Sequence, residues 1–91
     1  MGKKTTGFNK KGISEIPNNK PVLYKIKTES GNTNYVGIAK RGRVQKRLIE
    51  HLGNIPGAKV QVEHFGGIDD AAKKEKNVII RTKPKYNKSG I

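Results

Sequence analysis

Cysteine is absent from the 91 residues, which excludes disulfides and thiolate-ligated zinc and leaves the compartment open. Tryptophan is absent too, and with two Phe and three Tyr any core must be built largely from Val, Ile and Leu. No run is long and apolar enough to cross a bilayer, and the opening MGKKTTGFNKKG lacks the apolar centre of a signal peptide. The expectation is a soluble, cytoplasmic protein that does not engage a membrane. Acid is scarce as well: seven Asp and Glu face twenty Lys and Arg, a formal charge of +13. A surplus of that size repels itself unless a polyanion is a normal partner, so nucleic acid is the expected one.

Ninety-one residues suffice for one small domain with little chain to spare from its core. Residues 1–20, rich in Lys, Asn, Gly and Thr, read as a flexible basic arm touching the core at Ile13 and Ile16, and 21–91 as the domain. The arm holds five lysines and one glutamate, so most of the positive charge belongs to the domain itself.

From Pro21 the apolar period is two: Val22, Tyr24 and Ile26 share one face of an expected strand. The polar stretch TESGNT at 28–33 contains residues that tolerate a positive φ, so 34–38 should return as an antiparallel hairpin partner. Gly37 marks a close approach by another backbone or a ligand. Beyond Arg43 the period becomes four. Val44, Leu48 and Leu52 form the apolar stripe of a helix, with Arg47 and His51 at its border. Lys59–Phe65 alternates again as a third strand. A second helix should start with Asp69 or Asp70 as cap and run to about Arg81, burying Ile68, Ala71, Ala72, Val78 and Ile79. Glu75 falls on that same face, where a carboxylate is costly without a compensating cation or metal. The expected architecture is an α/β (α+β) domain: a three-stranded antiparallel sheet flanked by helices, in the order β-β-α-β-α.

Taken in line, Val22-Leu23-Tyr24, Tyr35-Val36-Gly37, Arg47, His51, Glu75 and Asn87 resemble the motif series of the GIY-YIG nuclease superfamily over roughly 21–87. The first motif keeps its Tyr but has lost its Gly and Ile, and the loop after Gly37 is about two residues longer than in the shortest relatives. The resemblance implies metal-dependent cleavage of nucleic-acid strands, with DNA favoured over RNA by the family alone. It also implies that Glu75 holds one divalent ion, Mg²⁺ or Mn²⁺.

Phosphodiester hydrolysis itself asks for the same residue types. Glu75 can hold a Lewis acid, Arg47 can neutralise charge growing on the phosphoryl group, and Tyr24, alone or with Tyr35, can take a proton from water. A tyrosine with a pKa of ~10 needs nearby cations and the metal to act as phenolate, and His51 could orient it or serve as an auxiliary base. Gly37, Lys40, Arg41, Arg43, Lys73 and Asn87 are the expected nucleic-acid contacts. No separate sequence-reading module is visible, so site preference would come from the arm, the loops, a homodimer or a partner protein. The competing readings are a non-catalytic nucleic-acid-binding module on the same scaffold and a small basic structural protein of a ribonucleoprotein.

Overall fold

The computed structural model describes residues 3–84 and 86. In chain order the elements are β1 (Lys3–Gly7), α1 (Lys10–Ser14), β2 (Val22–Lys27), β3 (Thr33–Ala39), α2 (Val44–Leu52), β4 (Lys59–His64) and α3 (Ile68–Thr82). The strands make one antiparallel sheet in the order β1-β4-β2-β3. It has four strands where the sequence suggested three.

Period-two patterning decides which face each strand presents. Val22, Tyr24 and Ile26 of β2, with Val60 and Val62 of β4, point to the side that carries α1 and α2. There they meet Phe8, Ile13, Ile16, Val44, Leu48 and Ile55, with Tyr35 and Leu52 at the margin. Leu23 and Val36 point the other way and pack on Val78 of α3, beside Ile38, Phe65 and Ile79. The sheet is thus covered by helices on both faces, with its larger core on the α1–α2 side.

The hairpin forms as the sequence suggests, with Gly31 at φ +95° in the turn between β2 and β3. Two expectations for α3 are corrected. Its N-cap is Gly67, not an aspartate, and Asp69 and Asp70 lie in the first turn, where their charge complements the helix N-terminus. Ala72 is exposed, because the contact stripe runs through Ala71 and Val78.

The larger correction concerns the expected arm. Lys3–Gly7 is an edge strand paired to β4, and Phe8, Ile13 and Ile16 are buried. A strand reading KKTTG has no apolar alternation to announce it; pairing with Val60 and Val62, and burial of the three apolar residues that follow, hold it in place. Asn9 caps α1 by accepting from the Gly12 N–H at 2.7 Å. Gly12 sits against the Gly7 carbonyl so closely that a Cβ could not be accommodated.

Charge is less well arranged on the sheet. Lys27 of β2 stands opposite Lys59 of β4. Like charges across antiparallel strands repel, and the +13 total deepens the effect. Lys59→Glu is therefore expected to stabilise the fold by about 0.5 kcal/mol, read as a higher urea midpoint with an unchanged m-value. Among the described residues no helix is long and apolar enough to cross a membrane.

Candidate active site

Tyr24 lies on an inner strand and is 0% exposed, yet its hydroxyl is aimed at polar company. The register explains how. Tyr24 pairs with Gly37 on edge strand β3, and a Cβ built at position 37 would stand 2.6 Å from the Tyr24 hydroxyl oxygen and 2.7 Å from its Cζ. The missing side chain is the space through which the Tyr24 ring passes over the edge strand. A close approach foreseen at Gly37 is made by this ring. Gly37→Ala should displace the phenol while the protein stays folded, read as shifted Tyr24 ring resonances in NMR beside an unchanged circular dichroism spectrum.

Tyr35 stands two positions before Gly37, hence on the same face, and its ring stacks on that of Tyr24 with centroids 6.1 Å apart and planes at 25°. Helix α2 supplies the next group. Arg47 and His51, four apart, rise on one side of the helix, and His51 Nε2 lies 2.8 Å from the Tyr24 hydroxyl. The His51 ring also tilts against Tyr35, with centroids 4.8 Å apart. Tyr24, Tyr35 and His51 are one contact cluster.

The electrostatics of this cluster are unequal. Burial pushes the Tyr24 phenol well above its ordinary range and Tyr35 beside it adds to the shift. The Arg47 guanidinium, by its charge and a hydrogen bond, pulls the other way without overcoming burial, and Glu75 adds a further upward push. His51 is lowered, first by burial, then by the Arg47 charge, with Glu50 opposing. At neutral pH the pair is thus a neutral phenol beside a neutral imidazole. Desolvation outweighs the one cation in reach, so a phenolate would need the metal as well.

Glu75 stands on α3, which covers the opposite face of the sheet, but it is electrostatically coupled to both Arg47 and Tyr24. The two helices approach each other at β3, where Ile38 and Ala39 share a cleft with Arg47 of α2 and Ile68 of α3. Burial raises the Glu75 carboxyl and Arg47 lowers it. Among the described residues the ion pair on α3 belongs to its neighbour: Lys74 Nζ meets Glu63 Oε1 at 2.7 Å. Glu75 has no such partner there. No three His, Cys, Asp or Glu side chains gather into a metal cage among the described residues. A lone half-buried carboxylate suits a hard ion that keeps most of its waters, as Mg²⁺ does, and does not suit zinc or a calcium cage.

Beside this cluster opens a cleft of about 370 Å³ lined by Ile38, Ala39, Lys40, Arg43, Arg47 and Ile68. Three cations stand over an apolar floor, a surface that can seat a phosphodiester and the sugar next to it. Of the expected contacts, Lys40 and Arg43 line this cleft, Arg41 is exposed in the loop between them, and Lys73 is exposed on α3 and does not line it. Asn87 lies outside the described residues. Ile38, Ala39 and Ile68 escaped the sequence reading, since small or apolar residues at strand and helix ends look like ordinary core.

No protein-family model matches the sequence, and no curated protein matches it. Among solved structures, the chain is similar to the crystal structure of the GIY-YIG N-terminal endonuclease domain of UvrC from Thermotoga maritima, bound to its catalytic divalent cation, magnesium. The two share 26% sequence identity with a TM-score of 0.71, over 86% of this chain and 93% of that one. With its strands, helices and covered edge arranged in this way, the chain has a GIY-YIG-like fold.

Proposed function

We propose that this protein is an endonuclease that hydrolyses phosphodiester bonds in nucleic acid, DNA being the favoured substrate, with one divalent ion bound at Glu75. The observation that carries the proposal is the 2.8 Å contact between the Tyr24 hydroxyl and His51 Nε2, next to a cleft lined by Lys40, Arg43 and the same Arg47 whose charge acts on Tyr24. A buried phenol has no structural need of a histidine and a guanidinium at once. A proton relay does.

The chemistry follows from the protonation states. With His51 neutral and its proton on Nδ1, the Tyr24 O–H donates to Nε2, leaving the phenolic oxygen able to accept from water. As the water oxygen bonds to phosphorus and the bond to the leaving oxygen breaks, the water's proton passes to Tyr24 and the Tyr24 proton to His51, while the leaving alkoxide takes a proton from solvent. No free phenolate is formed, which matters because burial opposes one. Arg47 holds the phosphoryl oxygens and offsets charge as it grows there, and Lys40 and Arg43 fix the flanking backbone. Tyr35, stacked on Tyr24 and tilted on His51, keeps both rings in place. Glu75 would hold a divalent ion, which would supply Lewis-acid stabilisation of charge growing on the phosphate. The similarity to a magnesium-bound endonuclease domain supports the use of a divalent ion.

Supercoiled plasmid incubated with the protein and Mg²⁺ or Mn²⁺ should be nicked, with no cutting in EDTA. Retention of plasmid in a gel shift without nicking, across both metals and a range of salt, would leave a nucleic-acid-binding module instead. The rate should hold steady through neutral pH and fall only below the ordinary histidine range, because His51 must be neutral to accept a proton and its pKa is lowered. An acid limb centred above the ordinary histidine value would contradict the relay.

A further inference from the structure

Helix α2 begins without a cap of its own. Arg43 stands at its N-cap and makes no side-chain hydrogen bond to the first turn, although the opening N–H groups of a helix need acceptors. Those acceptors come from Asn18, a residue on the connection between α1 and β2. Its Oδ1 accepts from the Val44 N–H at 2.9 Å and the Gln45 N–H at 3.4 Å, and its main-chain oxygen accepts from the Gly42 N–H at 2.7 Å. Gln45 returns the connection, its Nε2 donating to the Ile16 carbonyl at 2.8 Å and the Ser14 carbonyl at 3.3 Å. Residues 14–18 are thus fastened to 42–45, across a turn in which Gly42 adopts φ +83°.

What hangs from this join is the candidate site. The loop between β3 and α2 carries Lys40 and Arg43 into the cleft, Arg47 lies one turn into the helix, and His51 meets Tyr24 one turn beyond. A slip of an ångström in a nine-residue helix would break a contact of 2.8 Å. The chemistry of the cap is also selective. Asp and Asn cap helices about equally well, and Asp suits the positive helix end better. Helix stability alone would accept either. An aspartate here, bonded to 42–45, would set a carboxylate beside Arg43 and Lys40 and cancel part of the charge that faces a phosphate.

We infer that Asn18 is a positioning residue: its side-chain oxygen fixes the start of α2, and so the Tyr24–His51 contact, while its neutrality keeps the cleft's cationic rim undiluted. The rate predictions rest on the proposed nuclease reading; the binding and titration predictions do not.

The test compares full-length wild type, Asn18→Ala and Asn18→Asp. Plasmid cleavage with Mg²⁺ gives kcat and KM, a labelled duplex in EDTA gives Kd against salt, and NMR follows the His51 ring as it titrates. Asn18→Ala should lose 10- to 100-fold in kcat, on the order expected for a misplaced catalytic group. Its His51 midpoint should move back towards the ordinary histidine value, as contact with buried Tyr24 and with Arg47 loosens and Glu50 remains. Asn18→Asp should keep kcat and a lowered His51 midpoint but bind duplex roughly 10-fold more weakly at low salt, with a salt slope smaller by about one. Asn18→Ala with wild-type kcat and an unchanged His51 midpoint would overturn the positioning role. Asn18→Asp with wild-type duplex affinity would overturn the role of neutrality, and equal loss of kcat in both variants would reduce Asn18 to a residue the fold merely needs. Should Asn18→Ala not fold, Asn18→Asp carries the test by its split between kcat and Kd. Should wild type fail to cut with any metal, the nuclease reading falls, and the His51 midpoints and duplex affinities still decide the case of Asn18.

Discussion

Replacing Glu75 by glutamine should abolish cleavage, lowering turnover by at least about 1000-fold, while leaving duplex affinity in EDTA unchanged and thermal stability equal or higher. The three outcomes share one cause. Glu75 is half-buried on α3 with its carboxyl raised by desolvation and only partly relieved by Arg47. A carboxyl whose pKa is raised on folding binds its proton more tightly in the folded state. Its contribution to stability is present below the unfolded value and is lost as pH rises through the folded one. At neutral pH the ionised Glu75 is therefore a cost to the fold, and a neutral amide of the same shape removes that cost. What the amide cannot do is hold a hard cation, since it brings one neutral oxygen where a charged one is needed. Differential scanning fluorimetry beside a nicking assay reads both effects. A Glu75→Gln protein that cuts as well as wild type, or one that unfolds several degrees lower, would show that Glu75 serves the fold.

Tyr24→Phe should be the second largest loss, on the order of 100- to 10,000-fold in kcat, with the ring still seated over Gly37. The substitution deletes one oxygen, and with it the hydrogen bond to His51 at 2.8 Å and the one from Arg47. Stability should change by no more than about 1 kcal/mol, because His51 is only half-buried and water can replace the lost partner. The His51 titration adds a second signature. Its pKa is lowered in the folded state, so the unfolded chain takes up a proton first as pH falls, and stability declines below the ordinary histidine range. That decline should remain in Tyr24→Phe, since burial is its first cause, while the acid limb of the rate loses its relay partner. Wild-type turnover in Tyr24→Phe would exclude the phenol from proton transfer.

Much of this site was legible in the sequence because strong periods carry it. The alternation through Val22, Tyr24 and Ile26 fixes which face Tyr24 takes, and the four-residue repeat through Val44, Leu48 and Leu52 puts Arg47 and His51 on one border of a helix. Glu75 stood out because a carboxylate on an apolar stripe asks for an explanation. What stayed hidden depends on pairing across the chain. The strand Lys3–Gly7 has no apolar rhythm and exists by its register with β4, so it read as a loose arm. Asn18 looked like one more polar loop residue, because its hydrogen-bond partner Val44 is 26 positions downstream. Gly37 was noticed as a close approach, but only the register of Tyr24 against it says that the approaching group is a phenol. How deeply the Tyr24 ring is buried was hidden for a similar reason, since counting nearby cations does not reveal it.

The claim beneath all of this is spatial: a carboxylate on one side of the sheet and a phenol, imidazole and guanidinium on the other meet round edge strand β3 to serve one metal-dependent site. Crystals soaked in Mn²⁺ and measured at the manganese absorption edge test it most directly. One anomalous peak is expected at the Glu75 carboxylate, on the side that faces Arg47 and Tyr24. Manganese bound elsewhere on the domain, with no density at Glu75, would contradict the account.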